Sequence, residues 1–455
     1  MYEEKGGATS PASMLGSAAM RTWAIAIVVC LGLVACGDPP PPRAEKPTAP
    51  AENDPAYQVN GVKGWYLVST DATPFDETMT IVVTPPSGTE YIDAYIADLP
   101  PRRLAEDNGG RHGVQLAVTD VPVGTHEVLL SANGSTSAFA RLEFNRSVPY
   151  YVLVTTDWDF ADPGDQANTY QDRLHRDHPE LRMTHFVGPY TFTDPAVTPA
   201  RQQQLVDWLL EQRDSFDDEI GLHIHPYCHF VEQAGLTCIT DQSTVYTTDA
   251  SGYTIKVAAY DRTEFGTLLA HAKTLFQQHG LGTPKTFRAG GWTANLDTLG
   301  ALADQGFTAD TSALNWKHIA EEWPNSELYR WNMENWSMID DTSQPYYPNQ
   351  FDAQVGGAPE IGILEVPDNG VMIDYVSLAQ MNALFDANWD GKPLSQARTL
   401  MMGFHPATPG FSEAEYKRVD GFLDYADLHL ASRYLGPVVY ITLEDVVAAF
   451  PRSLQ

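Results

Sequence analysis

Four short islands hold the side chains able to do chemistry: Thr155-Thr156-Asp157-Trp158-Asp159, Glu219-Ile220-Gly221-Leu222-His223-Ile224-His225-Pro226, Arg288-Ala289-Gly290-Gly291-Trp292 and Gly403-Phe404-His405-Pro406. Two carboxylates two residues apart can divide their work, one binding a metal and one handling a proton. Two imidazoles complete a three-ligand site that keeps a coordination position open. An arginine can hold one carboxylate in its charged form, and a late histidine can protonate a leaving group.

These residues need strands that end together. From Val148 onward, strand and helix patterns alternate, which predicts an α/β domain. Tyr150 to Thr156 is an apolar run ending at Asp157. Met183 to Val187, Glu219 to His225, Thr286 to Arg288, Phe307 to Asp310, Ile363 to Pro367 and Thr399 to His405 read as further strands. Helices are expected around Arg201 to Glu211, from Phe265 to His279 with Gly280 beyond it, and from Asn295 to Gln305 before Gly306. The islands therefore fall at carboxyl ends of strands, where barrel active sites are built. Alternate residues of a strand share a face, so Asp157 and Asp159 can point into one site, as can His223 and His225. A competing pair uses His225 and His229.

In kind and order these islands resemble the polysaccharide deacetylase family, the NodB-homology carbohydrate esterases, over roughly the last three hundred residues. The second island departs from the commonest family pattern, His-x-x-x-His-Pro, and matches a divergent branch with the string Glu-Ile-Gly-Leu-His-Ile-His-Pro. The acids of the first island are separated by Trp158, where the common pattern has them adjacent. The resemblance implies a distorted, incomplete (β/α) barrel and a divalent metal, zinc first, on Asp159, His223 and His225, with His229 as the substitute ligand. It makes Asp157 the general base, Arg288 the group holding that base charged, and His405 the general acid. Trp292 is read as an apolar wall against a sugar ring or as core packing. Pro367 and Asp368 stand at the fourth motif; Asp368 is read as tuning His405 or contacting substrate, and Glu365 as a buried partner in its strand.

The implied reaction is removal of acetyl groups, N-acetyl favoured and O-acetyl close behind, from an envelope or extracellular polysaccharide. Two alternatives stay open: a metal-dependent amidohydrolase on a non-sugar amide, and a non-catalytic glycan-binding surface lipoprotein. No His-Glu-x-x-His string is present, which disfavours a zinc peptidase.

Ahead of this domain the organisation changes three times. Arg21 precedes the apolar run Thr22 to Gly32, too short to span a bilayer comfortably, and Leu33-Val34-Ala35-Cys36-Gly37 resembles a lipobox. Residues 1–36 are thus expected to be a lipoprotein signal peptide, with Met20 a candidate true start, Cys36 the lipidated residue and Gly37 suggesting an outer-membrane address. Residues 37–60, rich in Pro, Ala and Glu, read as an extended tether. Residues 61–147 contain short β-rich runs between turns and predict a small all-β sandwich, in which His112 and His126 are expected at the surface.

The 455 residues carry 28 Lys+Arg against 59 Asp+Glu, a formal net charge of −31. Such a surface repels phosphate backbones, so nucleic acid is not an expected partner. With Cys30 and Cys36 in the leader, Cys228 and Cys238 remain, a candidate disulfide in an oxidising compartment. The stretch from Asn315 to Gly357, rich in Trp, Asn, Tyr and Pro, is expected to be a substrate-side excursion of unread shape.

Overall fold

The structure is a computed structural model that describes residues 41–70, 73–241, 251–320, 326–406 and 411–452. The leader expectation and Cys36 lie outside the described residues. No helix among those described is long and apolar enough to cross a membrane.

The first layer pair is all-β. Strands β1 (Gln58–Asn60), β3 (Thr78–Thr84), β7 (His112–Ala117) and β6 (Ala105–Glu106) form one sheet. Strands β2 (Trp65–Leu67), β9 (Ala140–Ser147), β8 (Gly124–Ala132), β4 (Ile92–Ile96) and β5 (Arg102–Arg103) form the other. On β3, Met79, Ile81 and Val83 alternate inward and meet Ile92, Ala94, Val128, Leu130 and Phe144 of the facing sheet. Period-two alternation made this domain readable. Two expectations need correcting. The tether is ordered in its later part: the Thr48 N–H donates to Thr136 O at 2.8 Å, Tyr57 stacks on Phe139 at 3.8 Å, and Gln58–Asn60 is a strand. His112 is buried, paired with Val83 across the ladder.

The second domain is a curled, mostly parallel sheet, a partial barrel flanked by helices. Its strands are β10 (Tyr150–Asp157), β11 (Met183–Val187), β12 (Glu219–Ile224), β13 (Thr286–Ala289), β14 (Ala309–Asp310), β17 (Leu364–Glu365), β18 (Arg398–Phe404) and β19 (Val438–Tyr440), in the order β17-β14-β13-β12-β11-β10-β18 with β19 also on β10. Every residue of β10 is buried, as a central parallel strand covered on both faces requires. A short hairpin, β15 (Pro348–Asn349) with β16 (Asp352–Gly356), lies within the unread excursion.

The connecting helices have clear chemical boundaries. Helix α2 (Pro199–Phe216) starts at Thr198, whose side chain accepts from the Arg201 N–H, and α4 (Arg262–Gln278) starts with a capping box between Asp261 and Glu264. Asn295 caps α5 (Leu296–Asp304). Unanticipated by periodicity were α1 (Asp165–Asp177), α3 (Cys228–Gln233), α6 (Glu327–Asn335), α7 (Leu378–Asn388), α8 (Glu413–Asp427) and α9 (Leu443–Ala449).

An isolated bridge, Leu314 with Asp368, extends the β14–β17 pairing, and another, Met372 with Gly403, links the stretch after β17 to β18. Asn369 substitutes for ladder partners there: its Nδ2 donates to Thr399 O at 3.0 Å and its Oδ1 accepts from the Met401 N–H at 3.0 Å. The seam carries the fourth-motif segment across the barrel. The domains meet where Trp65 packs edge-on against Trp389 at 6.0 Å and Ser147 Oγ accepts from the Leu394 N–H at 2.8 Å.

Candidate metal centre

Strand register gathers the islands. Thr156 lies opposite Phe404, Asp157 opposite Phe186, and His223 opposite Arg288. Parallel strands in this register end at one level, so Asp157, Asp159, His223, His225, Arg288 and His405 share the carboxyl end of the sheet. Trp158 points the other way, fully buried 6.3 Å from Trp208, which is why the acids flanking it face the site.

Asp159, His223 and His225 form a buried cluster whose ligand atoms lie within 4.8 Å of one another. Both imidazole Nε2 atoms stand 3.2 Å from Asp159 Oδ1. The other ring nitrogens settle what those atoms carry. His223 Nδ1 is 2.9 Å from Arg288 O and His225 Nδ1 is 2.8 Å from Tyr253 O. A carbonyl only accepts, so each Nδ1 donates, and the tautomer this selects leaves the lone pair on Nε2, the atom on the Asp159 side. Two lone pairs and a carboxylate oxygen facing one point are a donor set for a divalent cation, with both histidines oriented by backbone carbonyls. The residues therefore fit a nitrogen-preferring ion such as zinc. Burial opposes ionisation of Asp159, but the neighbouring positive charge of His405 outweighs it and holds the carboxyl well below the usual range.

The second histidine pairing is not assembled. His229 Nδ1 bonds Thr193 Oγ1 at 2.8 Å, outside the cluster. His229 lies in the first turn of helix α3, which carries it away from the cluster.

Arg288 is fully buried and donates from Nη1 to Asp157 Oδ1 and to Thr155 Oγ1, each at 2.9 Å. Its Nη2 lies 3.6 Å from Asp368 Oδ2. Asp368 is itself fully buried, accepting from Trp292 Nε1 at 2.9 Å. The contacts of Asp368 are thus with Trp292 and Arg288, which it holds in place, and not with the His405 imidazole it was expected to tune. Trp292, also buried, lies edge-on to His405 at 6.4 Å, so packing beside the acid describes it better than an open sugar platform. Its backbone is strained, at φ +55°. Gly290 is required by the site: a Cβ there would fall 2.6 Å from His225 Nδ1. Glu365 is buried beside Asp310; burial and the neighbouring acid push it well above the usual carboxyl range.

The residue oriented toward His405 is Asp374, whose Oδ2 lies 2.6 Å from His405 Nδ1. His405 Nε2 faces Asp159 Oδ1 at 3.8 Å. Burial works against the imidazolium, but the Asp159, Asp374 and Asp157 carboxylates outweigh it and raise His405 to about 10. Sequence reading missed Asp374, although it closes the apolar run Val371-Met372-Ile373 as Asp157 closes its own strand. It also missed Tyr253, whose hydroxyl donates to Asp159 Oδ2 at 2.7 Å, and for which no local signal exists. Cys228 and Cys238 are joined in a disulfide beside the second island.

No protein-family model matches the chain, and no curated protein matches it. Among solved structures, it is similar to a family 4 carbohydrate esterase from Streptomyces lividans in complex with acetate, at 11% identity and TM-score 0.33, over 66% of this chain and 95% of that one. A peptidoglycan deacetylase from Bacillus subtilis matches at 10% identity and TM-score 0.31, over 66% and 90%. A 4-alpha-glucanotransferase from Thermococcus litoralis matches at 10% identity and TM-score 0.37, over 67% and 41%. Likeness at this level assigns no chemistry, which is read from the side chains.

Proposed function

We propose that the chain is a metal-dependent hydrolase that removes acetyl groups, N-acetyl in preference to O-acetyl, from an envelope or extracellular polysaccharide. The observation that carries this reading is the assembly of three groups in one site: the Asp159, His223 and His225 donor set, an Arg288-held carboxylate, and an Asp374-oriented imidazole. A divalent ion on the donor set, zinc by the chemistry of its ligands, would polarise the scissile carbonyl and a water.

The protein's own groups do the rest. Arg288 donates to Asp157 Oδ1 and aims the carboxylate, so Asp157 can take the proton of an attacking water. Asp374 accepts from His405 Nδ1, leaving Nε2 on the site side to give its proton to the departing amine or alcohol. Acetate and the free amine or hydroxyl are the products. The Thr22 to Gly32 run and the Leu33-Val34-Ala35-Cys36 string support export and anchoring of the protein to an envelope membrane through acylated Cys36.

Acetate release from N-acetylated and O-acetylated glycans by the protein lacking its leader, with and without chelator and beside Asp157→Asn, tests the reading. Release that requires both metal and Asp157 is the expected result. Chelator-insensitive release rejects metal dependence, and no release from a protein that binds zinc stoichiometrically shifts the assignment to a non-sugar amide or to glycan binding.

A further inference from the structure

Tyr253 touches two of the three donor residues and belongs to none of the islands. Its backbone oxygen accepts from His225 Nδ1 at 2.8 Å, and its hydroxyl donates to Asp159 Oδ2 at 2.7 Å. Its ring lies 4.4 Å from the His225 ring and 5.2 Å from that of Phe160. One half-buried residue, 94 positions from Asp159 in sequence, thus sets the tautomer of one ligand and the orientation of another.

The chain holds this segment from both sides. Ser251 O accepts from the Cys228 N–H at 2.8 Å, tying the segment to the stretch that leaves Pro226. Gly252 has φ +91°, and a Cβ there would sit 2.4 Å from Pro226 O and 2.8 Å from Cys228 N, so only glycine permits the approach. Downstream, the Val257 N–H donates to Thr293 Oγ1 at 2.9 Å and the Ala258 N–H to Thr293 O at 3.0 Å, one residue past Trp292. The Cys228–Cys238 disulfide lies at the start of α3 on the same stretch.

We propose that Tyr253 is the positioning residue of the metal centre. By engaging Oδ2 it turns a single oxygen, Oδ1, toward the two imidazoles. One carboxylate oxygen with two nitrogens suits zinc or cobalt and is poor for calcium, which takes six to eight oxygens and favours bidentate carboxylates. The inference rests on the metal-centre reading and adds to it the origin of ligand geometry and ion choice.

The test is titration of the full chain with Co²⁺, following its visible absorption, for the native protein and Tyr253→Phe, with thermal unfolding of both metal-free proteins. Phenylalanine keeps the ring packing and the backbone carbonyl and deletes only the hydroxyl. We expect Co²⁺ to bind Tyr253→Phe about 10–100-fold more weakly, with a shifted absorption band, Ca²⁺ competing better than in the native protein, and an unchanged metal-free unfolding midpoint. Equal affinity and an identical spectrum would overturn the proposal. So would weakened binding accompanied by a lowered metal-free midpoint, since that marks a structural role. A native protein that binds no Co²⁺ rejects the metal centre itself, an outcome distinct from failure of the clamp alone.

Discussion

Strand β12 has an aspartate and two histidines at each end, and the two clusters are opposites. At the carboxyl end stand Asp159, His223 and His225. At the other, Asp218, just before the strand, receives His175 Nε2 at 2.8 Å and His185 Nε2 at 2.9 Å on Oδ2, with the Met183 N–H on Oδ1 at 2.7 Å. Composition and distances are nearly the same. The difference lies in the far ring nitrogens. His185 Nδ1 meets the Thr156 hydroxyl at 3.1 Å, which can donate, so its Nε2 keeps a proton and gives it to Asp218. At the other end the far nitrogens face carbonyls, so the near ones present lone pairs. The Asp218 cluster is a hydrogen-bond network; the Asp159 cluster is a ligand set. A count of histidines near an acid distinguishes neither, and tautomer does.

The sharpest way to break this contrast is within the candidate site. Asp157→Asn keeps its shape beside Arg288 but removes the base, so acetate release should fall about 10²–10⁴-fold while Co²⁺ titration is unchanged. Equal losses of metal would mean that Asp157 belongs to the ligand set. Next, Arg288→Met strands the Asp157 carboxylate in a buried site, and denaturant unfolding should record a loss of about 3–5 kcal/mol; a neutral result would show that the pair is not buried in solution.

At the opposite end, Asp218→Asn should cost about 2 kcal/mol of stability, measured in urea, with Co²⁺ affinity unaltered. If metal binding collapses instead, the two clusters are not independent. The pH dependence of stability separates neighbours. Burial opposes the charge of Asp218, but hydrogen bonds from His175 and His185 hold its carboxyl below its ordinary value, so its contribution is present above that value and lost on acidification. Glu219 has the reverse sign. Burial raises its carboxyl from 4.5 to about 7, so the folded protein holds a proton that the unfolded chain has released. Its contribution is full below the ordinary value and declines as pH rises through about 7. Glu219→Gln should therefore flatten the stability curve between those limits by about 3 kcal/mol, and an unchanged slope would place the proton elsewhere. The smallest effect is expected from His229→Ala, which should leave metal affinity as it is; a weakened site would restore the wider histidine spacing as a ligand pair.

The first island was legible because a parallel strand buried on both faces is a continuous apolar run, and Asp157 marks where it stops. The same rule places His223, His225, Arg288 and His405, each at or just past a strand end, and the register of neighbouring parallel strands then makes sequence islands into spatial neighbours. The β-sandwich was legible by alternation, Met79-Ile81-Val83 against its polar neighbours. Helices α1, α7 and α8 were passed over since their apolar positions are diluted by Asp, Gln and Asn that other helices and strands satisfy, as Asn388 does by donating to Asp341 O at 2.8 Å. The tether misled because proline-rich composition describes the chain's stiffness and not whether an edge awaits it, and Thr48 and Tyr57 find one.

By itself, then, the sequence determined the sequence-local quantities: which strands are buried, which faces their terminal residues share, and which side chains can ligate or move a proton. Only the tertiary structure decided the partners. It chose His223 with His225 over His229, moved Asp368 from His405 to Trp292 and Arg288, gave His405 to Asp374 across the barrel seam, and brought Tyr253 to Asp159. The reason is physical. A residue's face follows from the backbone period around it, whereas the proton on an imidazole and the free oxygen of a carboxylate depend on groups that folding brings from distant parts of the chain.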